Sequence, residues 1–289
     1  MKRFVAAVTV WAMGLAWVAA SVVLPAGSAA AEAVSTPGGF TSLAPSRLLD
    51  TRFGTGAPQG AVAAHDIVHL QVTDHGGVPA SGVSAVALNV TVTEPVDAGF
   101  VTVYGEGADL PLASNLNFVP GQTVPNMVIA PVGAGGVVDL YNGSSGTIEL
   151  IADVSGYTLS GAPAVAGAFG SLAPSRLLDT RFGTGALQAP VAAGGTVHLQ
   201  VTGAGGVPAS GVSAVVLNVT VTQPAGAGFV TVYGEGSALP TASNLNFVPG
   251  QTVPNMVIAP VGAGGVVDLY NGSTATIHLI ADVSGYYLG

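Results

Sequence analysis

Ala85-Val86-Ala87-Leu88-Asn89-Val90-Thr91-Val92-Thr93 alternates between two chemistries. In an extended chain Val86, Leu88, Val90 and Val92 share one face while Asn89, Thr91 and Thr93 share the other, because successive side chains of a strand point to opposite sides. A period of two, with β-branched residues on the apolar side, predicts a strand rather than a helix. One of its faces packs; the other meets water or a partner.

Runs of the same kind occur at Ile67 to Thr73, Gly99 to Glu106, Ala113 to Val119, Val124 to Val132, Gly136 to Asn142 and Thr147 to Leu159, with a further start near Arg47. Turn signals separate them, among them Gly76-Gly77, Pro95, Pro111, Pro120-Gly121 and Asn142-Gly143. The pattern predicts an all-β fold of about eight short strands, a β-sandwich or jelly roll.

That unit is written twice. Ser42 to Leu159 and Ser171 to Leu288 align at a constant offset of 129 residues without a gap, and 99 of the 118 aligned positions are identical. Each unit is long enough to bury its own core, so the repeat describes two tandem domains and not a solenoid. We place copy one at residues 40–159, a linker rich in small residues at 160–168, expected to be short and moderately flexible, and copy two at 169–289.

Upstream, the basic start Met1-Lys2-Arg3, the apolar run from Phe4 to Leu24 and the small residues Ser28 to Ala31 read as a secretory signal peptide over 1–31. The apolar run is long enough to weigh an uncleaved anchor, but Pro25 and the A-x-A site favour cleavage after Ala31. No later segment is apolar for that length, and no sorting tail follows the second copy. The expectation is a secreted chain, extracellular or associated with the cell surface, with no membrane partner after cleavage.

Cleavage removes Lys2, the one lysine, together with Trp11 and Trp17, and the chain contains no cysteine. Thiol chemistry, lysine Schiff bases and disulfide staples are thereby excluded from the mature form. Fifteen acids against the four remaining arginines leave a net charge of −11, which argues against nucleic acid as a partner. Six acids of copy one are replaced by Gly, Ala, Gln or His in copy two, which marks them as replaceable surface charges.

All four mature arginines sit in one octapeptide and its repeat, Pro45-Ser46-Arg47-Leu48-Leu49-Asp50-Thr51-Arg52 and Pro174 to Arg181. Alternation would put Leu48, Asp50 and Arg52 on one side, Arg47, Leu49 and Thr51 on the other. Arg47, Arg52, Arg176 and Arg181 are candidate forks for an anionic ligand. The favoured reading is structural: a partly buried pair of Arg52 with Asp50, joined by Asp153.

The acids common to both copies are Asp50, Glu106, Asp139 and Asp153 with Asp179, Glu235, Asp268 and Asp282. Linear spacing does not show whether two of them flank a cleft, so a carboxylate hydrolase remains a minor alternative. His69 and His198 lie on the polar face of a strand and are expected to be exposed. With no H-x-x-x-H or HExxH pattern, no metal site and no cofactor are expected. The turn from Asp139 to Ser144 offers oxygen ligands but lacks the acid density of a calcium loop.

A second polar strip supplies candidate glycan contacts: Tyr104, Asn115, Asn117, Gln122, Asn126 and Tyr141, repeated as Tyr233, Asn244, Asn246, Gln251, Asn255 and Tyr270. Amides bond sugar hydroxyls and a tyrosine ring stacks on them. The alternative is that these amides satisfy buried backbone groups at strand ends.

RLLDTR, LNVTVT, GFVTVYGEG, SNLNF, GQTVPN, VDLYNG and LIADVSGY, present in both copies, resemble a module of secreted proteins from high-GC Gram-positive bacteria. The resemblance implies an all-β accessory unit, found beside extracellular hydrolases or alone in tandem, and supplies no functional residues. Our expectation is a noncatalytic tandem module that binds cell wall or another extracellular glycan. A self-associating surface-coat or matrix protein is the first alternative, since a charged fraction of 7% does little to block association.

Overall fold

The computed structural model describes residues 36–289. The leader expected over 1–31 lies outside them. No helix among the described residues is long and apolar enough to cross a membrane.

Copy one runs β1 (Phe40–Asp50), β2 (Ile67–Gln71), β3 (Val83–Thr93), β4 (Gly99–Gly105), β5 (Leu116–Phe118), β6 (Val124–Pro131), β7 (Val137–Asn142) and β8 (Glu149–Leu159). Copy two repeats them as β9 (Phe169–Asp179), β10 (Thr196–Gln200), β11 (Val212–Thr222), β12 (Gly228–Gly234), β13 (Leu245–Phe247), β14 (Val253–Pro260), β15 (Val266–Asn271) and β16 (His278–Leu288). In each copy the strands form two antiparallel four-stranded sheets, ordered β1-β8-β3-β6 and β2-β7-β4-β5 in the first. Every pair except β4-β5, and β12-β13 in copy two, joins strands that are not consecutive in sequence, and this distribution over two sheets is the jelly roll.

The alternation quoted at the outset builds the core. Val86, Leu88, Val90 and Val92 of β3 are fully buried against Val101, Val103, Leu116 and Leu140 of the opposite sheet. Valine suits this layer because its branched side chain is stiff and fills the pleat at little rotamer cost. Copy two packs the same residues into its own core.

The simple alternation expected for β1 does not hold. Its pairing with β8 shifts register between Arg47 and Leu49, so Leu48 and Leu49 are both buried although adjacent in sequence. A bulge turns two consecutive leucines inward and brings Arg47 within reach of Asp50 three residues later. Asp153 then pairs with Arg47, not with Arg52 as expected.

The two copies belong to one compact unit and touch directly. Ala85 and Ile129 of copy one pack with Phe169 and Val216 of copy two in a small apolar cluster. Segment 160–168 is tied at both ends: Ser160 N donates to Gly82 O, Gly167 N to Leu288 O, and Phe169 N to Gly38 O at 2.9 Å.

Candidate functional site

The outward face of the sheet β2-β7-β4-β5 carries the chemistry. His69 on β2 lies opposite Asp139 on β7, which lies opposite Tyr104 on β4, so three strands set one row of polar side chains in register. Glu106, just past the end of β4, completes the group. His69 Nδ1 is 2.8 Å from Asp139 Oδ1 and 2.7 Å from Glu106 Oε2. Copy two reproduces the arrangement, with His198 Nδ1 at 2.8 Å from Asp268 and 2.6 Å from Glu235.

The electrostatics follow from this geometry. Hydrogen bonding to Asp139, then to Glu106, raises the His69 pKa above its ordinary value and favours the imidazolium. Burial raises the Asp139 pKa, with the Glu106 carboxyl adding to it, whereas Glu106 is lowered by its bonds to Asp139 and His69. The group therefore divides its charges unevenly: the exposed carboxylate ionises readily and the buried one reluctantly. Burial first, and the two carboxylates next, raise Tyr104 as well.

The ligand atoms of each trio lie within 4.8 Å of one another, close enough to share a divalent ion. Such an ion would compete with the imidazolium proton for the same lone pairs. Linear spacing left open whether two of the shared acids come together, and Asp139 and Glu106 do. Both are held by one imidazole.

Farther along β7, Tyr141 shares the face of Asp139, and the Phe100 ring meets it with centroids 6.3 Å apart. Gly143 allows this, since a Cβ there would run into the Phe100 ring. In copy two Phe229 and Tyr270 form the same pair at 6.4 Å and wall a cleft of about 380 Å³, together with Thr231, Leu239, Pro240, Ser243 and Asn246. In copy one His65 stacks on Tyr141, and Phe100, Ser114 and Asn117 line a cleft shared with Arg176 and Arg181 of copy two. A further cleft, of about 440 Å³ in copy one and 410 Å³ in copy two, ends at His69 and His198.

The remaining candidates have structural partners. Arg47 donates to Asp50 and Asp153, and Arg52 donates twice to Asp50 while lying 5.1 Å from the Phe53 ring centroid. Arg176 and Arg181 hold Asp179 and Asp282 in the same way. Asn115 Oδ1 accepts from Val103 N and Asn244 Oδ1 from Val232 N; Gln122 and Gln251 accept from Val119 N and Val248 N. Asn126 and Asn255 donate to the carbonyls of Asn115 and Asn244. These amides tie loops to neighbouring strands. Tyr104 is buried and Tyr233 half-buried, which leaves Tyr141, Tyr270, Asn117 and Asn246 as candidates on an open wall.

Asn142 and Ser144 bond each other and nearby carbonyls, while Asp139 turns to His69, so the Asp139–Ser144 turn does not gather its oxygens. Sequence reasoning kept His69, Glu106 and Asp139 as residues common to both copies without joining them. Their shared place on outward strand faces was the available signal.

No family model matches the chain, and no curated protein does. Among solved structures it is similar to the STIV MCP (6% identity, TM-score 0.33, covering 86% of this chain and 96% of that one). It is also similar to the CBM22-1-CBM22-2 tandem domain from Paenibacillus barcinonensis Xyn10C (14%, TM-score 0.24, 86% and 100%) and to the coconut allergen cocosin (10%, TM-score 0.18, 87% and 86%). Superpositions this loose carry no argument about function.

Proposed function

We propose that the chain is a secreted, noncatalytic tandem module that binds a hydroxyl-rich polymer of the cell envelope or the extracellular space. The observation that supports it most is the open cleft of copy two, where the Phe229 and Tyr270 rings stand beside the Ser243 hydroxyl and the Asn246 amide. Aromatic faces stack on the apolar side of a sugar while hydroxyls and amides bond its rim. The noncatalytic reading is supported by the engagement of the shared carboxylates: Asp139 and Glu106 bond His69, as Asp268 and Glu235 bond His198.

Retention of the purified chain on cell-wall preparations and assorted insoluble polysaccharides tests the proposal. Tyr270→Ala should lower the affinity about tenfold, the loss of one stacking contact and its bonds. Retention by no polymer, or an unchanged affinity in Tyr270→Ala, overturns it. A second reading, a surface-coat or matrix component, is favoured by the directional contact between the copies.

A further inference from the structure

The contact between the copies joins two different surfaces. Copy one contributes β6, Ala85 of the neighbouring β3 and the loop before β5, and copy two contributes the outward face of β14-β11-β16-β9. Asn126 Nδ2 donates to Asn218 Oδ1 at 2.9 Å, and Asn218 Nδ2 donates to Ser114 O at 2.6 Å. Arg176 Nη2 donates to Leu112 O at 3.0 Å while its Nε remains on Asp282. Phe169, Val216, Met256 and Tyr287 of copy two cover Ala85 and Ile129.

Because the copies are nearly identical, a contact of this heterologous kind leaves one unused half at each end. On copy one the matching face is open at its β1 edge, with Ala87 and Thr158 already buried beside it: Phe40 is 53% exposed where its counterpart Phe169 is 1% exposed. Copy two has the donating face, also free: Ile258 is 50% exposed where Ile129 is 7% exposed. The bonding groups recur at both ends, since Arg47, Asn89, Ser243 and Asn255 repeat Arg176, Asn218, Ser114 and Asn126. Arg47 is already held on Asp153 through Nε, as Arg176 is on Asp282.

We infer that a second molecule of this chain docks head to tail, the donating face of its copy two on the receiving face of copy one. A heterologous contact repeated between molecules gives a ring where the rotation closes and a filament where it does not. Its strength is below that of the internal contact, because Ala87 and Thr158 stand where copy two has Val216 and Tyr287, which bury more apolar surface. The net negative charge of the chain opposes docking at low ionic strength, so added salt should strengthen it. A docked molecule would also cover the Ser243 side of the Phe229–Tyr270 cleft, so polymer and second copy compete there.

Sedimentation velocity without polymer, over a wide range of concentration, reads the association. The chain should sediment faster as concentration rises. Ile258→Asp and Phe40→Asp, both at exposed positions, should each lose that dependence completely while keeping the circular dichroism and melting of the parent. Mixed, the two variants retain one good half each and should form pairs and nothing larger. A parent chain that stays monomeric, single variants that still associate, or a mixture that stays monomeric overturns the inference. Polymer retention measured on the same monomeric variants reports on the proposed function separately.

Discussion

Arg47 with Asp153 and Arg176 with Asp282 are the same pair of residues in the same bulge, yet they live in different surroundings. The side chains are 44% and 26% exposed in copy one but 19% and 3% exposed in copy two. The covering comes from copy one itself, whose Leu112–Ser114 loop lies on the second pair. Burial raises the Asp282 pKa even though Arg176 opposes it. Near-identical sequences therefore do not guarantee equivalent energetics: what a residue contributes depends on what is packed on it.

Matched substitutions in the two copies break or sharpen this contrast, each read as a shift in the urea midpoint of the whole chain. The largest difference is expected for phenylalanine. Phe169→Ala should destabilise by about 3 kcal/mol, since it removes the centre of the inter-copy cluster, whereas Phe40→Ala should cost well under about 1 kcal/mol. Equal costs would mean that the copies do not hold together as described.

Next comes the ion pair. Arg176→Ala strands the buried Asp282 and should cost about 3 kcal/mol, while Arg47→Ala breaks a more exposed pair worth about 1 kcal/mol. A smaller gap is expected for the amides: Asn218→Ala loses bonds to Asn126 and Ser114 and should cost about 1.5 kcal/mol, against a few tenths for Asn89→Ala.

The smallest effect is one in which the copies should agree. The carboxylates of their neighbours raise the pKa values of His69 and His198. The stability this supplies is fully present below the unfolded histidine value of about 6.5 and is lost as pH rises through the folded values. Solvent exposure limits it to about 0.5 kcal/mol per site. The urea midpoint should fall accordingly on the alkaline side, and His69→Gln with His198→Gln should flatten that part of the profile.

Much of the fold was legible from alternation and turn residues. Val86, Leu88, Val90 and Val92 announced a packed face, and all four are core. The bulge at Arg47–Leu49 was not legible, because an extra residue in one strand is defined by its pairing with β8. In the candidate site, His69, Glu106 and Asp139 were each visible as residues kept in both copies, but 37 and 70 residues separate the histidine from its partners. Nothing local records that two strands and a loop bring them within bonding distance.

The repeat, the all-β class and the chemistry excluded by the missing cysteine follow from the residues alone, because periodicity and composition are properties of the chain. The pairing register, the joining of the histidine with its acids and the unequal burial of identical residues arise from contacts between distant segments. The duplication shows that limit directly. An alignment treats the two copies as interchangeable, but when one jelly roll packs its edge on the face of the other, the symmetry is lost and one half-contact is left open at each end.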